Sequence, residues 1–181
     1  MIPTAQSIED LTLNVTQEIH VRASLEATFA ALLDQLGPHN EVTDGSPMPM
    51  KIEPWPGGRW YRDLGDGNGH FWGHVQAIKR PTLLEISGPL FMSYPVASNV
   101  QYRLTETDGG TLIKFRHSAL GLIQEDHRKG VSSGWSRIHE RVRKQAEASR
   151  SRQAVSSRDE GDEVAEEIEK EADKRPQAQC S

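Results

Sequence analysis

Two runs of strict alternation separated by one glycine turn commit this chain to antiparallel strands. Val100, Tyr102 and Leu104 share one face while Gln101 and Arg103 take the other. After Asp108-Gly109-Gly110, Ile113, Phe115 and His117 oppose Leu112, Lys114 and Arg116. A period of two marks a strand with one buried face, and glycine tolerates the positive φ of a tight turn, so the runs pair as a hairpin. The same period runs from Leu11 to Val21, with Leu13, Val15, Gln17 and Ile19 on one side. Ser24 then caps a helix whose Leu25, Phe29, Leu32, Leu33 and Leu36 form one stripe, and Gly37-Pro38 stops it.

Beyond the Pro- and Gly-rich residues 38–49, short strands are expected at Met50–Glu53, Arg59–Asp63, Phe71–Ile78 and Leu83–Ser87, with a hairpin loop at Gly65–Gly69. From Glu125 to Ala148, Val131, Trp135, Ile138 and Val142 recur at helical spacing beside Arg137, Arg141, Arg143 and Lys144. The pattern predicts an α+β fold, with an antiparallel sheet whose apolar face is covered by the closing helix.

Composition bounds the function. The 181 residues fit one domain, and no run of about 18 apolar residues predicts a membrane span. No basic-then-apolar leader is seen, so the expected location is the cytoplasm. A net charge of −5 disfavours nucleic acid as a partner. The single cysteine, Cys180, excludes an intramolecular disulfide. Residues 1–149 read as the domain. Residues 150–181 hold no aromatic residue, are dominated by Ser, Arg, Glu and Asp, and are expected to be a disordered acidic tail offering at most a weak protein contact.

The order of several short pieces resembles a known family. They are Ala23-Ser24-Leu25-Glu26-Ala27-Thr28-Phe29 after the first strand, Pro56-Gly57-Gly58-Arg59, Gly73-His74-Val75, the run Gly109 to Ser118, and Gly134-Trp135 in the last helix. Over Leu11 to Ala148 the chain resembles the START-like, or SRPBCC, helix-grip superfamily, and within it proteins related to the C-terminal domain of the heat-shock-protein-90 ATPase activator. That resemblance implies a curved sheet gripping the C-terminal helix, with an apolar cavity that in many relatives takes a hydrophobic small molecule. Physical reasoning agrees, because a curved sheet cannot touch a straight helix along its whole length. The gap is either filled by large side chains or left open.

The expected lining is Trp60, Trp72, Phe91, Val100, Tyr102, Leu104, Ile113, Phe115, His117, Trp135, Ile138 and Val142, with Trp55, Phe71 and Met92 as further candidates for lining or core. His117 and Tyr102 would orient a ligand; alternatively they are satisfied by backbone, core or solvent. Gly134 is read as letting the helix approach the sheet, and Trp135 as plugging the cavity or flooring it. Arg59, Tyr61 and Asp63 share a face that is either the pocket mouth or surface.

His70 and His74 share a strand face, but about 13 Å of strand separates them, too far for one zinc ion. Neither a metal nor an organic cofactor is expected. Gly130-Val131-Ser132-Ser133-Gly134 matches a hydrolase nucleophile elbow, yet lies inside a helical pattern without the preceding strand. The leading reading is a monomeric binding protein for a lipophilic small molecule. The alternatives are a cyclase-, dehydratase- or hydrolase-like enzyme using His117, and a co-chaperone-like interaction module.

Overall fold

The structure, a computed structural model, describes residues 7–172; of residues 151 and 153–172 only the backbone is described. Its elements are α1 (Ile8–Leu11), β1 (Thr12–Val21), α2 (Leu25–Leu36), β2 (Lys51–Ile52), β3 (Arg59–Gly65), β4 (Asn68–Lys79), β5 (Leu83–Gly88), β6 (Val96–Thr107), β7 (Gly110–Gly121) and α3 (Glu125–Ala172). The seven strands form one antiparallel sheet in the order β1-β7-β6-β5-β4-β3-β2.

The alternating hairpin pairs as its pattern requires, with Val100 opposite His117 and Tyr102 opposite Phe115. Both strands run longer than their clean alternation, through Thr107 and Gly121. At the other hairpin Gly65, Asp66 and Gly67 all take positive φ, the conformation a two-residue turn demands. Register shifts between Trp60 and Tyr61, Asp63 and Gly65, and Val75 and Ala77 bend the β3–β5 half of the sheet. The result is the curved sheet of the helix-grip architecture.

Capping sets the helix boundaries. Ser24 Oγ accepts from the Ala27 amide, and Gly37 closes α2. The short α1 escapes the alternation argument, which runs Leu11 into the strand. Its signal is the capping box Ser7-Ile8-Glu9-Asp10, in which each end side chain accepts from the other's amide. The α2 and α3 helices lie together on the concave face. The Trp60 indole donates to the Leu36 carbonyl at 2.6 Å, fastening β3 to the end of α2.

Helix α3 does not stop at Ala148 but continues to Ala172. The expectation of a disordered, partner-binding tail at 150–181 falls on residues 150–172 of α3, described by backbone alone except at Arg150 and Arg152, and, for 173–181, outside the described residues. Among the described residues no helix is long and apolar enough to cross a membrane.

Candidate ligand cavity

The inner half of the grip is solid. Tyr102 and Phe115 from the sheet meet Trp135 and His139 from α3, with Phe115 4.9 Å from Trp135 and 4.5 Å from His139 between ring centroids. Val100, Leu104, Ile113 and Val142 are fully buried around them. These residues interdigitate as a close-packed core, and none of the sheet residues here reaches an open space.

Polar groups in this core have specific partners. Gln17 on β1 donates its amide to the Ser132 carbonyl and the Ser136 hydroxyl, both at 3.0 Å. Its carbonyl is therefore left facing His139 Nδ1 at 2.7 Å, which must donate. His139 Nε2 is then the acceptor for the Tyr102 hydroxyl at 3.3 Å. The imidazole is neutral, and burial pushes its pKa down to about 3. This relay, invisible in the sequence pattern, clamps α3 to both the edge and the centre of the sheet.

His117 is completely buried and accepts at Nδ1 from the Trp135 indole, 3.1 Å away. The proton thus sits on Nε2, which has no partner among the described residues. Burial lowers the pKa to about 4. The strand parity of His117 is as expected, but its partner is a side chain of the gripping helix rather than a backbone carbonyl. An indole N–H is too weak an acid to give up its proton and has no basic lone pair to take one, so the Trp135 partner does not activate His117 as an acid or base.

The outer half is open. A cavity of about 550 Å³ lies between the first turns of α3, the 40–48 loop, Trp72 of β4 and Phe91 of the β5–β6 connection. That volume is in the range of small-molecule sites. Of the expected lining, Trp72, Phe91, Trp135 and Ile138 stand on its wall. Trp60, Val100, Tyr102, Leu104, Ile113, Phe115, His117 and Val142 lie behind it in the core, because the aromatic cluster fills the deeper gap. Met92 is likewise core, whereas Trp55 and Phe71 are exposed. Phe71 has the opposite parity to Trp72 and so points away.

Several lining residues carry no sequence signal of their own. Val42, Thr43 and Met48 come from the irregular loop, and His127, Arg137 and Arg141 from the polar side of α3. The readable signal is the pair Gly130 and Gly134, four apart in a helix. A Cβ built on either meets nothing within 4 Å. Gly134 therefore does not serve close approach to the sheet, as its position beside Trp135 suggests; both glycines open onto the cavity, with Trp135 as its floor. The G-x-S-x-G match lies wholly within α3, where Ser132 meets Gln17.

The remaining candidates are surface or structural. Arg59 pairs with Glu53 at 2.5 Å and Asp63 with Lys51 at 2.6 Å, on the exposed side of β3 away from the cavity. His70 bonds the Trp72 indole and the Ser93 hydroxyl, and His74 meets the Gly57 carbonyl, so the two histidines serve separate contacts.

Solved structures share this architecture. Protein MLL2253 from Mesorhizobium loti is 24% identical, with a TM-score of 0.54 over 73% of this chain and 95% of that one. An uncharacterised protein from Rhizobium leguminosarum is 19% identical, with a TM-score of 0.57 over 76% and 95%. The di-domain ARO/CYC StfQ of the steffimycin biosynthetic pathway is 12% identical, with a TM-score of 0.58 over 80% of this chain and 53% of its own. At such identities these likenesses show the fold alone. No curated protein matches. The family model of "Activator of Hsp90 ATPase homolog 1-like protein" matches residues 22–147, from the end of β1 through the gripping part of α3, and the chain belongs to that family.

Proposed function

We propose that this protein binds a hydrophobic or amphipathic small molecule in the cavity between the 40–48 loop, the β4–β6 aromatic residues and the outer face of α3. One observation carries the reading. Two glycines stand on the cavity wall inside a helix, where glycine costs roughly 1 kcal/mol relative to alanine, and neither is needed for packing. Their effect is to keep space open above an apolar floor of Val131 and Trp135. Space maintained against helix propensity is a feature of a site rather than of a core.

Two outcomes are expected. Gly130→Ala and Gly134→Ala should each raise unfolding stability, by about 1 kcal/mol in urea titrations, because helix propensity is gained with no clash. A loss of stability would mean that the glycines serve packing. In a thermal-shift and chemical-shift screen of lipophilic compounds, binders should raise Tm and perturb Gly130–Ile138 and Asn40–Met48. Gly134→Leu, which projects a branched side chain into the cavity above Trp135, should weaken those shifts while the protein stays folded. A screen in which no compound acts on these segments overturns the proposal.

A further inference from the structure

Resting on the cavity reading above, we infer that the ligand is an elongated amphiphile with an anionic end, its apolar body over the Gly130–Gly134 shelf and its acid group at Arg137 and Arg141. His127, Gly130, Gly134, Arg137 and Arg141 succeed one another at spacings of three and four, so they line one side of α3. Between His127 and Arg137 the helix rises about 15 Å. The cavity is thus long, apolar in its middle and polar at its ends.

The two ends differ in chemistry. At the far end Arg141 is already engaged, with Nε donating to Gln35 at 3.0 Å and a long 3.7 Å pairing to Glu41. Arg137 has only the Thr43 hydroxyl, at 3.4 Å, and no carboxylate partner among the described residues. Two guanidinium groups against the single Glu41 carboxylate leave this end of the wall positive. A guanidinium offers a planar fork of donors that matches a carboxylate. At the near end the Tyr94 hydroxyl accepts from the Gln124 amide at 3.4 Å and shares a hydrogen bond with His127 Nδ1 at 2.8 Å. His127 offers at most one further ring nitrogen here, without the planar fork of donors that a guanidinium brings to a carboxylate. Charge therefore orients the ligand with its acid toward Arg137.

The test compares decanoate, 1-decanol and decylamine on the full chain by Trp fluorescence, since Trp72 and Trp135 are both on the wall. Decanoate should bind at least tenfold more tightly than decanol, decylamine most weakly, and the decanoate advantage should shrink with added salt. Arg137→Gln should remove most of that advantage, Arg137→Lys should retain part of it, and Lys144→Gln, on the side of α3 that pairs with Glu140, should leave it unchanged. If decanol binds as tightly as decanoate, or Arg137→Gln leaves the ratio intact, the anionic inference falls and the cavity reading stands. If none of the three binds, both fall.

Discussion

Trp135→Ala should lower the unfolding free energy by about 3–5 kcal/mol, the range for deleting a large buried aromatic residue. Trp135 is 3% exposed and its ring contacts Tyr102, Phe115, His117 and His139 from both sides of the grip. The substitution also strips His117 of the one hydrogen bond it makes among the described residues, leaving both imidazole nitrogens unpaired there in an apolar interior. Trp135→Phe separates the two effects. It keeps most of the ring volume and loses the indole donor, so its cost should fall to about 1–2 kcal/mol. Urea titrations with an unchanged m-value measure both. A loss below about 1 kcal/mol for the alanine variant would show that α3 is not held to the sheet at this point.

Acidification should destabilise the fold well above the range where carboxylates titrate. His117 and His139 have folded-state pKa values of about 4 and about 3, both lowered by burial from an unfolded value near 6.5. Between pH 6.5 and pH 4 the unfolded chain therefore binds more protons than the folded one, and stability falls as pH falls. Each histidine contributes a slope of about 1.4 kcal/mol per pH unit, so moving from pH 7.5 to pH 5 should cost about 4 kcal/mol for the pair. The lowered carboxylates act later. Glu53, for example, is held at about 2 by Arg59, so its ion pair survives throughout this window. His139→Gln and His117→Gln should each remove about half of the slope, whatever they do to stability at pH 7.5. Equal stability at pH 5 and pH 7 in the parent chain would refute the account.

Most of the architecture was legible because it depends on period and punctuation. Alternation at Val100–Leu104 and Ile113–His117 placed the central hairpin in register, and Ser24 and Gly37 bounded α2. Orientation was readable as well: His117, Tyr102 and Trp135 all point inward, as their spacing requires. What parity cannot show is how deep the inward space is. Whether Phe115 fills the gap or borders it depends on the distance of α3 from the sheet, and that is set by side chains from both elements together. The cavity consequently lies one layer outward of the expected lining, where residues 40–48 carry no periodic signal. Gln17 was assigned to the buried face of β1, but its partnership with His139, 122 residues away, follows from no local pattern.

The wall formed by Asn40–Met48 has an evolutionary consequence. It is an irregular stretch whose ties to α3 include Arg137 with Thr43 and Arg141 with Glu41, and it takes no part in the seven-stranded sheet. Insertions, deletions or exchanges there alter the shape offered to a guest while the strand register and the aromatic clamp remain as they are. On the ligand-binding reading proposed above, selectivity would then reside in one short replaceable panel, separate from the sheet that holds the fold together.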